Sequence, residues 1–232
     1  DPFGLGDLLP PTDFSFAGTE DEELIPAAID NDPEITIITP DQPAGAIAAT
    51  ATVSEAALAA RGSEPAGSDP SSTAETVTGT IEIDSPDQPN IVAVNGTAIT
   101  AVGQTISTPL GLITITSIAP DAIGYSYTLL DNSTNPDASE TVTITVTDGD
   151  GDVAIATLTL AITDDVPTAR ADTETVAANL FTAQAGNVIT GVGTASGAAG
   201  ADTLGADGAT VTGIRASSAS SFTALIQLRV QS

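Results

Sequence analysis

The chain has 232 residues, with 31 acidic against 4 basic side chains and a formal net charge of −27. A surface this acidic repels phosphate backbones and anionic lipid headgroups, so we expect no nucleic-acid binding and no attraction to anionic membrane surfaces. The sequence has no run of about 18 apolar residues, so no membrane insertion is expected. The chain contains no Cys and no His. That excludes disulfides, the usual zinc sites, and catalysis by Ser-His-Asp or Cys-His groups. We therefore expect a protein that is not an enzyme.

The first 29 residues differ in composition from those that follow. They contain Pro2, Pro10 and Pro11 and a run of four acidic residues at positions 20–23, with no sustained apolar period. Such a segment buries too little apolar surface to fold by itself. Residues 1–29 are therefore predicted to form a linker or a disordered arm.

Residues 30–165 show the pattern of an all-β protein. Short segments of alternating apolar and polar residues are separated by Pro, Gly, Asn and Asp, which is typical of a β-sandwich. Asn95-Gly96 is a strong hairpin signal, and a helical turn is expected near residues 55–60. We predict an Ig-like Greek-key β-sandwich repeat over 30–165. Its candidate strands are residues 35–39, 48–58, 77–83, 91–94, 98–102, 104–107, 112–118 and 124–130, and a hairpin at 140–164.

Residues 166–232 are predicted to be a partial second β domain. A complete sandwich of this kind takes about 100 residues, which is more than this segment offers. The sequence at 28–33 (AIDNDP) is echoed at 161–167 (AITDDVP). Acidic, proline-containing junctions repeated about one domain apart indicate a tandem array.

The most informative sequence is DGDGD at 148–152, in the turn of the last hairpin. Alternate aspartates on a tight turn direct several carboxylate oxygens toward one point, and Ca²⁺ prefers such ligands. Asp148, Asp150 and Asp152 are therefore candidate metal ligands. The alternative is plain turn chemistry, because Asp-Gly is a favoured hairpin turn without any metal. An EF-hand is a poor match, because Thr159 stands where its closing Glu belongs.

The strand directions of a Greek-key sandwich predict which acidic residues lie at each end of the domain. The chain enters at one end, the entry pole, and leaves at the other, the exit pole. Asp164 and Asp165 are predicted at the exit pole, where they would share a cation with the hairpin turn of a following domain. Many carboxylates at one pole destabilise the fold unless cations are bound. The acidic residues predicted at the entry pole are Asp30, Asp32, Asp84, Asp87, Asp148, Asp150 and Asp152. Asp30 and Asp32 are candidate Ca²⁺ ligands, as are Asp164 and Asp165 at the exit pole.

For three other side chains, the sequence allows two interpretations of their role. Glu55 is predicted to be exposed, although it is within reach of a junction site. Tyr125 and Tyr127 share one strand face and are predicted to lie in the core or at its rim. The alternative for the two tyrosines is a stacking surface for a sugar.

Three segments resemble a known family. The run TVTITVTDGDGDVAIATLTLAITDDVP at 141–167, the sequence VSEAAL at 53–58 and the Gly/Ala-rich tract at 186–214 resemble Ig-like or cadherin-like (VCBS-type) repeats. Such repeats occur in giant RTX adhesins, which Gram-negative bacteria export by type I secretion. The glycine-rich nonapeptide repeats of the RTX β-roll are absent from this sequence, and the tail from Arg215 onward departs from the family pattern.

The resemblance implies a structural extender module on the cell surface, with roles in adhesion or biofilm formation. Its partners would be neighbouring repeats of the same polypeptide, held by Ca²⁺ in a stiff rod, and a cell-surface ligand. By matching position, the resemblance also implies Ca²⁺ ligands at Asp148, Asp150, Asp152, Asp164 and Asp165. The alternative function is a glycan-binding module of a surface protein.

Overall fold

The computed structural model describes residues 32–174 and 185–211. The predicted arm at 1–29 and the candidate ligand Asp30 lie outside these residues. Two 3-10 helices, Glu55–Ala57 and Gly197–Gly200, are the helical elements of the described part. The strands of the described part are β1 (Glu34–Thr39), β2 (Gln42–Ala46), β3 (Ala48–Ser54), β4 (Thr76–Asp84), β5 (Ile91–Val94), β6 (Thr97–Ala98), β7 (Thr105–Ser107), β8 (Gly111–Ile118), β9 (Ala122–Leu129), β10 (Ser139–Thr147) and β11 (Val153–Thr163).

The strands form two sheets that enclose one hydrophobic core. The first sheet has the order β2-β1-β4-β9-β8-β7, and the second has the order β3-β11-β10-β5-β6. Residues 34–54 are divided between the two sheets. β1 pairs antiparallel with β4 in the first sheet, whereas β3 pairs parallel with β11 in the second. The chain crosses between the sheets again from β3 to β4, from β4 to β5, from β6 to β7 and from β9 to β10. This order confirms the predicted Ig-like Greek-key sandwich.

The β10–β11 hairpin shows how residue alternation sets the strand pairing. Val142, Ile144 and Val146 are buried, and the threonines between them face outward. Val142 lies opposite Leu158, so the apolar faces of both strands point into the core. A register shift of one residue would turn every one of these side chains toward water.

Two strand predictions need correction, and one strand was not predicted. Residues 99–102, predicted as strand, form a loop because the Gln104 side chain accepts from Thr100 N–H and donates to the Ala98 carbonyl. The strand predicted at 48–58 ends at Ser54, whose hydroxyl accepts from Ala56 N–H and begins the expected helical turn. Residues 42–46, which contain Pro43 and Gly45, were not predicted as strand, yet they pair with β1.

Both tyrosines of the chain, Tyr125 and Tyr127, lie in the core, which confirms the prediction that they lie in the core or at its rim. The Tyr127 hydroxyl donates to Glu140 at 2.5 Å. Glu140 also accepts from Thr108 Oγ1 and from Leu110 N–H, so this buried carboxylate is well satisfied. The Tyr125 hydroxyl is buried and has no hydrogen-bond partner among the described residues. Neither ring is exposed for stacking on a sugar.

The described residues that follow β11 contain no strand. They form loops, the second 3-10 helix and one isolated bridge between Thr168 and Thr203. Ala206 from this segment lies in the same hydrophobic cluster as the sandwich core. The second repeat over 166–232 stays a prediction. In residues 32–174 and 185–211, no helix has both the length and the apolar character needed to cross a bilayer.

The buried tyrosines predict the response to alkali. Burial raises the pKa of Tyr125 to about 12, and burial together with the Glu140 hydrogen bond and charge raises that of Tyr127. An unfolded tyrosine ionises near pH 10. From about pH 10 upward the unfolded chain therefore loses phenolic protons that the folded chain keeps, and the free energy of unfolding falls. Absorbance at 295 nm should show no tyrosinate step near pH 10 while the protein is folded. A step there with an unchanged circular-dichroism spectrum would contradict the buried positions.

The two tyrosines offer a matched pair of variants. Tyr127→Phe removes a donor from buried Glu140 and is expected to lower the free energy of unfolding by about 1–3 kcal/mol. Tyr125→Phe removes a hydroxyl without a partner and is expected to leave that free energy unchanged or slightly raised. Urea unfolding followed by circular dichroism measures both. Equal losses in the two variants would show that the Tyr127–Glu140 hydrogen bond contributes nothing specific.

Candidate metal centres at the two poles

The strand register fixes which acidic residues share a pole. Asp84 pairs with Glu34 at the end of β4, and Thr147 pairs with both Ile91 and Val153 next to the 148–152 turn. The loop 85–90 and the 148–152 turn therefore meet at the entry pole. At the other end, Thr163 pairs with Ser54. Asp164 and Asp165 therefore follow at the exit pole, next to the first 3-10 helix.

The entry pole holds a cluster of three carboxylates, from Asp87, Asp148 and Asp150. One oxygen from each lies within 4.8 Å of the others, close enough to hold a metal ion. Asp148 is only 5% exposed. Its Oδ1 accepts from the N–H groups of Gly151 and Asp152, at 3.0 and 2.8 Å. Its Oδ2 is buried and has no partner among the described residues, and such an oxygen is costly unless it binds a donor or a cation.

Backbone contacts hold the two entry-pole loops together. Gly149 N–H donates to the Asp87 carbonyl at 2.7 Å and so joins the turn to the 85–90 loop. Within the turn, Asp148 N–H donates to the Asp152 carbonyl at 3.1 Å. A Cβ at Gly149 would collide with the backbone carbonyl of Gln88. Because Gly149 has no side chain, the 85–90 loop can approach the turn closely. This approach brings Asp87 next to the carboxylates of Asp148 and Asp150.

The pKa values of the two neighbouring aspartates at the entry pole, Asp148 and Asp150, are shifted in opposite directions. The hydrogen bond to Asp148 raises the pKa of Asp150, as do desolvation and the charges of Asp148 and Asp87. Burial acts to raise the pKa of Asp148. The hydrogen bonds from Asp150 and from the N–H groups of the turn outweigh burial and lower that pKa. A cation bound between these oxygens would favour the charged form of both carboxyl groups.

The exit pole holds a second cluster, formed by Glu55, Asp164 and Asp207, with one oxygen from each again within 4.8 Å of the others. Glu55 is 1% exposed, so the prediction that it is exposed was wrong. Ser133 N–H donates to Glu55 Oε1 at 2.7 Å. Glu55 Oε2 and Asp164 Oδ1 are buried without a hydrogen-bond partner in the described part of the chain. The cluster therefore has two unsatisfied carboxylate oxygens.

The position of Glu55 follows from the strand before it. Ala49, Ala51 and Val53 are the inward residues of β3, and Glu55 is next in that alternation. Ser54 then caps the 3-10 helix that begins at Glu55, and the Glu55 side chain stays buried at the exit pole. Burial raises the pKa of Glu55 against the lowering effect of the Ser133 and Asp165 N–H groups, and the charges of Asp207 and Asp164 raise it further. The alternation was the sequence signal for this buried acid.

Other candidate ligands lie outside the two clusters. Asp165 is buried, and its carboxylate accepts from Ser68 N–H, Ser68 Oγ and Ala206 N–H at 2.7, 2.5 and 3.0 Å. Protein donors thus engage both of its oxygens. Asp152 belongs to the entry-pole turn but is not one of the three clustered carboxylates, and Asp32 and Asp84 are exposed. A ligand role for these residues stays a prediction.

Both clusters suit a hard cation. Every member offers carboxylate oxygen, the donor that Mg²⁺, Ca²⁺ and Mn²⁺ prefer. Arg61 pairs at the exit pole with Glu64 and Asp131, at 3.3 and 3.4 Å, rather than with the cluster. The two groups could therefore hold metal ions, and each contains at least one buried oxygen that a cation would satisfy.

No protein-family model matches the chain, and no curated protein is similar to it in sequence. The function is therefore inferred from the chemistry of the two clusters and the fold that carries them.

Gly149→Ala is expected to weaken cation binding at the entry pole only. The new methyl group would push the 85–90 loop away and carry Asp87 out of the cluster. Changes that disturb the support of a metal site typically lower affinity about 10- to 100-fold. Isothermal titration calorimetry with CaCl₂ would measure the loss. Gly103→Ala is the control, because it introduces a side chain at a positive φ with no atom within 4 Å. Unchanged affinity in Gly149→Ala would show that Asp87 is not a ligand.

Proposed function

We propose that this chain is a structural, calcium-binding repeat of an extracellular adhesive protein. One observation carries the proposal. An Ig-like sandwich presents at each pole a cluster of three carboxylates that includes a buried oxygen without a partner. Such clusters lie where one repeat of a tandem array would meet the next.

Calcium fits the donor set for two reasons. It takes six to eight oxygen ligands in flexible geometry, so three carboxylates, nearby carbonyls and water together complete its shell. Two oxygens bound to one Ca²⁺ at about 2.4 Å lie at most about 4.8 Å apart, and the clustered oxygens lie within that spacing. Magnesium demands stricter octahedral geometry and retains more of its water. We therefore expect Ca²⁺ to bind in preference to Mg²⁺.

The mechanical role follows from the arrangement of the poles. The chain enters the sandwich at one end and leaves it at the other, so successive repeats would be joined end to end. With a net charge of −27, neighbouring ends would repel each other. Bound Ca²⁺ neutralises the poles and holds the loops there in one arrangement, which stiffens the array. In a low-calcium cytosol the same loops would stay loose, and the ends of the repeat would not be locked.

The resemblance to repeats of RTX adhesins supports the biological setting. On this proposal the parent protein reaches the surface of a Gram-negative bacterium by type I secretion and acts in cell adhesion or biofilm formation. The repeat itself is not an enzyme, and its partners are neighbouring repeats. The glycan-binding alternative loses its proposed stacking surface, because Tyr125 and Tyr127 are buried.

Thermal melts of the full 232-residue chain test the proposal. Extracellular Ca²⁺ modules bind with Kd of about 10⁻⁴–10⁻³ M. At a free Ca²⁺ concentration of about 100 times Kd, one site stabilises the fold by about 2.7 kcal/mol. For a domain of this size that corresponds to a rise in Tm of about 5–10 °C for each site. The rise should disappear with EGTA and be smaller with an equal concentration of Mg²⁺.

Two double variants assign the effect to the poles. Asp148→Asn with Asp150→Asn should remove the part of the Ca²⁺-dependent rise due to the entry pole. Glu55→Gln with Asp164→Asn should remove the exit-pole part. Asp121→Asn, at an acidic residue outside both clusters, should behave as the wild type. Equal Tm values with Ca²⁺ and with EGTA in the wild type would mean that the aspartates serve only as turn formers.

A further inference from the structure

A loop downstream of the sandwich, residues 201–208, folds back onto the exit pole. Thr168 N–H donates to the Thr203 carbonyl at 2.8 Å, and Thr203 N–H donates to the Thr168 carbonyl at 3.0 Å. Ala206 is 0% exposed and is part of the sandwich core. The loop is therefore docked by specific contacts.

Asp165 anchors this loop. Its carboxylate joins the loop to the sandwich, because it accepts from Ala206 N–H as well as from both donors of Ser68. Gly205 has a φ of 67°, and a Cβ there would collide with the Asp165 carbonyl. Asp165 thus supports the docked loop, rather than taking part in the carboxylate cluster next to it.

Docking places a third negative charge in the exit-pole cluster. Asp207 follows Ala206 directly and meets Glu55 and Asp164. Asn132 Nδ2 donates to Asp207 Oδ1, but this amide carries no charge. Like charges within about 5 Å in a partly buried site repel strongly. The same step that buries Ala206 therefore raises the electrostatic cost of the cluster, and two of its oxygens have no donor.

We propose that residues 201–208 form a cation-dependent latch, in which a divalent cation held by Glu55, Asp164 and Asp207 locks the downstream chain onto the sandwich. The latch rests on the proposed exit-pole site. With the loop docked the cation meets three carboxylates, and with the loop released it meets two. This difference in affinity is what allows a ligand to shift the docking equilibrium. By linkage, the factor by which the cation favours docking equals the factor by which docking raises cation affinity, typically about 5- to 150-fold.

The latch would control the direction in which the chain leaves the sandwich. Residues 201–208 lie between this sandwich and whatever follows in the polypeptide. When the cation is bound, the loop is fixed at the exit pole. When the cation is removed, repulsion among the three carboxylates favours release. The array would then become flexible at this point while the sandwich core stays folded.

Hydrogen exchange on the full chain tests the latch. The amides of Thr203 and Ala206 report docking, because both are hydrogen-bonded across the contact. Exchange of peptides covering 201–208, measured by mass spectrometry, is expected to be at least about fivefold slower with saturating CaCl₂ than with EGTA. Asp207→Asn should abolish this difference while Ca²⁺ still raises Tm through the entry pole. Asp137→Asn, an exposed aspartate in the loop before β10, is the matched control and should respond as the wild type.

The outcomes separate the latch from the calcium proposal. If Ca²⁺ binds at the exit pole but exchange at 201–208 is the same with and without it, the latch is wrong and the metal site stands. If the Asp207→Asn chain keeps the full Ca²⁺-dependent protection, the latch is also wrong, because its third carboxylate is not needed. If the wild-type chain binds no Ca²⁺ at all, the proposed function fails and the latch fails with it.

Discussion

Repulsion among carboxylates at the two ends of the sandwich is the constraint that governs the functional part of this structure. Asp148 at the entry pole and Glu55 at the exit pole are both buried, and each has an oxygen without a hydrogen-bond partner among the described residues. A protein interior tolerates such an oxygen only when it finds a proton, a donor or a cation. The loops at the poles are therefore stable in proportion to how well these charges are neutralised.

The core does not depend on this constraint. Val142 and Leu158 are buried partners on β10 and β11, and the Tyr127–Glu140 hydrogen bond joins β9 of one sheet to β10 of the other. None of these four residues belongs to either cluster. We therefore expect the sandwich to fold without cations and the polar loops to respond to them. A stable centre with adjustable ends suits a repeat that must leave the cell in one state and act in another. It also explains why a cation would alter the junctions more than the fold.

The sequence predicted the core better than it predicted the clusters. The hairpin at 140–164 was correct because strict alternation allows one register only. Gln42–Ala46 was missed because its pairing with β1 uses backbone groups, which composition does not reveal. Glu55 was expected at the surface because charged residues are seldom buried, although it continues the inward face that ends at Val53. Asp207 was not foreseen, because it comes from a segment without periodicity and reaches the exit pole only through long-range packing.

The most direct test is a crystal structure of the full chain grown with Ca²⁺, with anomalous scattering data collected at a long wavelength. We expect one anomalous peak among Asp87, Asp148 and Asp150 and a second among Glu55, Asp164 and Asp207, with carboxylate oxygens at about 2.3–2.6 Å from each ion. The absence of both peaks at millimolar Ca²⁺, with water or a shared proton satisfying the buried oxygens instead, would contradict it.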